Sequence, residues 1–260
     1  MFLSNIYLKK MIKVNQIRFS ESVKKFKEPM IDKYGLKPYK YDDLPVIFFG
    51  LYRIEDYLEL VSHKSKSIII WRGSDSLNIK KYEKYIPKIK KSKNIAISQF
   101  ISDDLSKYEI SHKKIPITST KNIKNLKPRG ENIYFYGDLE NKMYGGDIIK
   151  RIIDKIPYNV IFTKSNTYKK EELEKIYESC FIGLRLTKHD GLPNTVCEMG
   201  LMGRKCLYNG NTPNAIPYTS DKDIITLINK EYKNRNLDNS EIVDNMYDFL
   251  NIDDSWLYID

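Results

Sequence analysis

The stretch Cys180–Gly210, CFIGLRLTKHDGLPNTVCEMGLMGRKCLYNG, constrains the chain most, because it reads as strand, turn and helix in immediate succession. Phe181–Leu186 is mostly apolar and suits a buried strand, and Lys188, His189, Asp190 and Gly191 then force a turn. Pro193 falls where a first helical turn begins, a position whose N–H has no helical partner. Val196, Met199, Gly200 and Gly203 follow at helical spacing on one face, and the two glycines would let that face sit close to a neighbouring backbone. The N–H groups of Asn194 and Thr195 are expected to point out of the helix start, where an anion such as phosphate suits them.

The same alternation recurs along the chain. Strands are predicted at Val46–Tyr52, Ser67–Trp71, Asn94–Ser98, Asn132–Tyr136, Tyr158–Phe162 and Lys205–Tyr208. Helical spacing covers Ser20–Tyr34, Ile54–Ser62, Lys80–Lys93, Lys170–Tyr177, Asp221–Tyr232 and Asn239–Ile252. The fold class is therefore α/β. With 260 residues, 41% of them hydrophobic, the chain can bury one large core or two smaller ones. Thr118–Gly130, polar and lysine-rich, reads as the linker. It divides the chain into residues 1–125, residues 126–240 and a terminal helix in 241–260.

Asp190 and Glu198 enclose seven residues, which places one carboxylate on the turn and the other on the helix, where both can border one pocket. With Gly191-Leu192-Pro193 between them, this resembles the acid, seven residues, Glu signature of family 4 retaining glycosyltransferases. Asp190 stands where that family has Glu, Met199 and Leu201 replace alanines, and Gly203-Arg204-Lys205-Cys206-Leu207 replaces the usual closing Gly-x-Pro-Val. The resemblance implies a GT-B-like pair of Rossmann-like domains facing across a cleft. Residues 1–125 would then be the acceptor side and 126–240 the nucleotide-sugar donor side, with 241–260 packing back toward the first domain. It also implies retaining, metal-independent transfer to a glycan or other hydroxyl acceptor, with no cofactor beyond the nucleotide-sugar co-substrate.

By the same resemblance, Asp190 lies near the sugar hydroxyls, and Gly191, Leu192, Pro193, Asn194, Thr195 and Gly137 line the donor. Glu198 accepts from the ribose, since a carboxylate accepts two hydroxyls at once. The family's diphosphate-binding Arg is Asp138 here, so Lys142 is left to neutralise phosphate, alone or with Arg185, Lys188 or Arg129; the alternative for Lys142 is a solvated loop lysine. Arg72, Gly73, Ser74 and Asp75, after a strand of the first half, are candidates for the acceptor or cleft wall, and Asp75 is either an acceptor ligand or a helix N-cap.

The formal charge of +10 fits anionic partners, including a weak contact with an anionic membrane surface, or simply lysine-rich solvated faces. No specific nucleic acid is expected. The alternatives to a transferase are a nucleotide-sugar epimerase and a basic nucleic-acid- or glycan-binding protein with a degenerate site. Cys180, Cys197 and Cys206 lack metal-ligand spacing and are expected to be buried free thiols. Residues 1–14 make a poor signal peptide and no run reaches membrane-spanning length, so a cytoplasmic protein is expected. Gly-x-Gly-x-x-Gly and P-loop patterns are absent, which disfavours dinucleotide oxidoreductases and P-loop ATPases.

Overall fold

The computed structural model describes residues 11–164 and 168–260. Residues 1–10, on which the signal-peptide reading mostly rests, lie outside them. The chain forms two compact α/β units. Among the described residues, one comprises 11–97 together with 101–115 and 253–260, and the other 98–100 with 116–164 and 168–252.

In chain order, the first unit contains β1 (Ile12–Lys13), β2 (Gln16–Phe19), α1 (Lys27–Tyr34), β3 (Lys37–Pro38), β4 (Val46–Phe49), α2 (Ile54–Ser62), β5 (Ser67–Trp71), α3 (Ile86–Lys90), β6 (Lys93–Ala96), most of α4 (Gln99–Lys107) and β7 (His112–Lys114). Its sheet runs β3-β2-β4-β5-β6-β7, with every pairing parallel. Every residue of β4 and β5 is buried, as central parallel strands covered on both faces require. The helical stretches predicted at Ser20–Tyr34 and Lys80–Lys93 are each divided into a 3-10 part and a short α-helix. Glu21–Phe26 and Ser76–Tyr85 are 3-10 turns broken at Val23 (φ −125°, ψ 17°) and Tyr82 (φ −122°, ψ 30°).

The second unit continues with β8 (Asn132–Tyr136), α5 (Gly146–Ile152), β9 (Val160–Thr163), α6 (Lys170–Glu178), β10 (Cys180–Leu184), α7 (Asn194–Leu201), β11 (Lys205–Leu207), β12 (Ala215–Ile216), α8 (Asp221–Lys233) and α9 (Ser240–Leu250). Its parallel sheet runs β12-β11-β10-β8-β9. Alternation along β8 separates the two faces. Ile133 and Phe135 pack with Ile149 and Ile152 of α5 and Ile224 and Ile228 of α8, whereas Tyr134 packs with Tyr177, Val196 and Met199 of α6 and α7.

Two segments sit differently from the linker-based division. The lysine-rich stretch after Thr118 is fixed to the second unit, since Asn125 N–H donates to Leu201 O (2.9 Å) and Arg204 to Lys127 O (3.0 Å) and Pro128 O (2.5 Å). Helix α9 packs against α7, with Met246 lying against Gly200, where a Cβ would come within 2.7 Å of the Met246 methyl. Only residues 253–260 return to the first unit. There β13 (Tyr258–Ile259) pairs antiparallel with β1, and buried Trp256 meets Tyr34 edge-on at 5.1 Å. No helix among the described residues is long and apolar enough to cross a membrane.

Candidate active site

In the second sheet the chain leaves β8 for the edge strand β9, then crosses to β10 on the other side of β8. The ends of β8 and β10 therefore flank a switch point, the place where open α/β sheets bind ligands. Gly137 follows one end and Arg185 the other.

Arg185 is largely buried and donates through Nε to Asp190 Oδ2 at 2.6 Å. Its guanidinium lies over the rings of Tyr144 (4.4 Å) and Tyr136 (4.8 Å), which pack edge to face with each other at 4.8 Å. Burial works against its charge, but the neighbouring Asp190 carboxylate outweighs that and leaves the pKa above arginine's usual value. The other oxygen of Asp190 accepts from Gly191 N–H at 2.8 Å, and its backbone carbonyl accepts from Ser98 Oγ at 3.1 Å. The turn is further pinned by Tyr208 OH donating to Gly191 O at 3.1 Å. The pair is thus a positioned cation with its orienting anion.

Gly145 explains how the loop after β8 closes on this site. It has φ +84°, and a Cβ there would lie 2.5 Å from that of Leu186, just beyond Arg185. Gly137 also takes a positive φ (+128°). Lys142 is exposed on that loop, and Asp138 pairs with Lys164 at 3.0 Å. Arg129, considered above as a phosphate ligand, is engaged elsewhere. It donates to Arg235 O (2.8 Å), Leu237 O (3.2 Å) and Asn234 O past the end of α8.

Helix α7 begins one residue later than expected, with Pro193 as its N-cap residue. The first backbone bonds are made by Val196 and Cys197 to Pro193 O, so the N–H groups of Asn194 and Thr195 precede them. The Asn194 side chain is committed to the former linker, accepting from Thr118 Oγ1 and donating to Ser119 Oγ, both at 2.9 Å. Gly191, Leu192 and Pro193 are buried. Gly200 faces the side chains of Met246 and Asn214, whereas Gly203 faces the Leu126 side chain and both the side chain and the backbone carbonyl of Asn239.

Glu198 lines a different wall from Asp190. It borders a cavity of about 390 Å³ between α6, α7 and residues 120–125, with Lys170 and Tyr168 on its rim, and Asp190 is not among the lining residues. The two acids therefore do not share this pocket. Tyr177 OH donates to Glu198 Oε2 at 3.1 Å, and Tyr134 beside it accepts from Thr163 Oγ1 at 2.8 Å. These partners lie far off in sequence, and nothing in the helical spacing of α6 marks Tyr177 as one.

Burial raises the Glu198 pKa to about 7, a rise that the Tyr177 bond only moderates. The folded value stands above the unfolded one of 4.5, so ionisation is penalised only in the folded chain. That cost is absent below pH 4.5, grows as the pH rises through about 7, and is constant above. Glu198→Gln is accordingly expected to leave stability at pH 4 nearly unchanged and to raise it at pH 8 by about 1–3 kcal/mol. Urea denaturation at the two pH values measures this, and a variant that tracks the wild type at both would show that Glu198 ionises normally.

Asp75 is corrected by the structure as an acceptor ligand. It is fully buried, and its carboxylate accepts from the N–H groups of Gly73 (2.7 Å), Arg72 (3.0 Å), Ser76 (3.1 Å) and Leu51 (3.4 Å), making it a turn clamp. Arg72 stacks on Phe49 and Phe26, Gly73 belongs to the clamped turn, and Ser74 is exposed. The three cysteines are buried free thiols. No group of three or more His, Cys, Asp or Glu among the described residues is placed to hold a metal.

No protein-family model and no curated protein matches the sequence. Solved structures do match in shape. Sucrose-phosphate synthase from Thermosynechococcus elongatus aligns at 11% identity with a TM-score of 0.57, over 86% of this chain and 71% of that one. An α,α-trehalose-phosphate synthase (UDP-forming) from Burkholderia vietnamiensis aligns at 8% identity and 0.55, over 84% and 71%. TarM aligns at 14% and 0.50, over 82% of this chain, which spans 56% of TarM's length. The likeness shows the fold, an α/β chain of two parallel-sheet units of the kind found in GT-B glycosyltransferases.

Proposed function

We infer that the chain transfers a sugar from a nucleotide-diphosphate sugar to a hydroxyl of a glycan or other acceptor, with retention and without a metal. The observation that carries this reading is the Arg185–Asp190 pair at the β8/β10 switch point, beside the start of α7. A departing diphosphate gains negative charge while the sugar becomes oxocarbenium-like, so a fixed cation and free helix N–H groups at the phosphate position lower the barrier. Arg185 takes the place of the family's missing phosphate-loop arginine, and Asp190 acts by holding its guanidinium in place. Glu198, in its own cavity, is assigned to the ribose hydroxyls. The names of the structural neighbours, two of them sugar-phosphate synthases, agree with glycosyl transfer.

The test is thermal denaturation with uridine and guanosine diphosphates. At about a hundredfold excess over Kd, a ligand bound only by the folded chain stabilises it by about 2.7 kcal/mol. Turnover of the cognate donor is expected to survive EDTA, and activity lost to EDTA and restored by manganese would contradict metal independence. Salt-sensitive DNA binding with no nucleotide response would favour a nucleic-acid-binding protein with a degenerate site. An epimerised donor without transfer would favour an epimerase.

A further inference from the structure

A second surface, confined to the first unit, combines charge and exposed apolar side chains. Between residues 80 and 93 the chain carries seven lysines and a single acid, Glu83. Helix α2 packs on this stretch through Tyr57, whose ring lies 4.4 Å from that of Tyr82 and 5.5 Å from that of Tyr85. A flank of α2 beside Tyr57 is uncovered: Leu58 and Val61, three residues apart and so neighbours on the helix surface, are 53% and 48% exposed. Val61 also borders an open groove of about 430 Å³, whose other walls are Lys84, Tyr85, Pro87, Lys88 and Lys91.

The nearby acids do not cancel this charge. Glu109 pairs with Lys90 at 3.6 Å, Glu59 is turned to Arg18 at 2.5 Å, and within the stretch itself Glu83 stands against seven lysines. A purely electrostatic partner gives no reason for two uncovered aliphatic side chains beside the ammonium groups. A purely apolar partner gives none for the lysines. An anionic bilayer surface answers to both, with ammonium groups at the phosphate level and aliphatic side chains in the acyl boundary below. We propose that this face of the first unit, comprising Leu58, Val61 and the groove lysines Lys84, Lys88 and Lys91, binds an anionic membrane surface peripherally.

The experiment is co-sedimentation of the full chain with phosphatidylcholine vesicles, with and without phosphatidylglycerol. Binding is expected only with the anionic lipid and is expected to weaken as salt shortens the Debye length. Lys84→Glu with Lys91→Glu, and separately Leu58→Ser with Val61→Ser, should each lower the partition coefficient by at least about tenfold. Circular dichroism confirms folding, and Lys84→Gln with Lys91→Gln serves as a milder charge variant whose smaller loss is read the same way. No binding to anionic vesicles, equal binding to neutral ones, undiminished binding by all variants, or binding to polyglutamate with none to vesicles would each overturn the proposal.

Discussion

Arg185→Met is expected to lower sugar transfer by about two to three orders of magnitude, the usual cost of removing a preorganised group that stabilises developing charge. It is also expected to destabilise the fold by about 3–5 kcal/mol, because it strands a largely buried Asp190 carboxylate that keeps its bond from the Gly191 N–H but loses its cation. Both effects follow from one contact and can be separated. Arg185→Lys keeps a positive charge but loses the planar group packed on the Tyr136 and Tyr144 rings, so it should recover more stability than turnover. Urea denaturation gives the first quantity and donor turnover the second. Wild-type turnover in Arg185→Met would remove Arg185 from the donor site.

The second large effect lies away from the chemistry. Arg204 is fully buried, and its guanidinium donates to six backbone carbonyls: Tyr177 (3.1 Å), Glu178 (3.2 Å), Cys180 (3.4 Å), Lys127 (3.0 Å), Pro128 (2.5 Å) and Met202. It gathers the end of α6, the start of β10, the stretch before β8 and the end of α7. Burial pulls its pKa down to about 10, which still leaves it charged at neutral pH. Arg204→Met has nearly the same reach but no donors, and each carbonyl left buried and unpaired costs about 1–3 kcal/mol before relaxation. A loss of about 4–5 kcal/mol is expected, at the upper end for single substitutions. A denaturation midpoint within error of the wild type would show that water replaces the guanidinium.

Residue patterns alone revealed much of this fold where strands are bounded by sharp punctuation. Ser67–Trp71 ends at Arg72-Gly73 and Asn132–Tyr136 ends at Gly137, and both strands span the residues predicted for them. The kinked 3-10 stretches at Glu21–Phe26 and Ser76–Tyr85 were not legible, because lysine and aromatic spacing is compatible with either helix type and the break lies in the backbone angles of one residue. In the site, the residue types were legible but not their partnerships. Arg185 and Asp190 were each assigned to a ligand separately, whereas in the folded chain they face each other first. The bond from Tyr177 to Glu198 crosses 21 residues and depends on how α6 and α7 pack. Arg204, which read only as a departure from a family pattern, turned out to tie four segments together, because six carbonyls converge there only after folding.

The central claim is that the β8/β10 switch point holds the diphosphate of a nucleotide-sugar against Arg185. It is tested most directly by isothermal titration of the wild type and Arg185→Met with the nucleoside diphosphate that gives the largest melting shift, under conditions where both proteins are folded. Saturable binding to the wild type is expected, with affinity at least about tenfold weaker in the variant, the loss of one charge-assisted contact of roughly 1.5–3 kcal/mol. Equal affinity in the two proteins would contradict that claim.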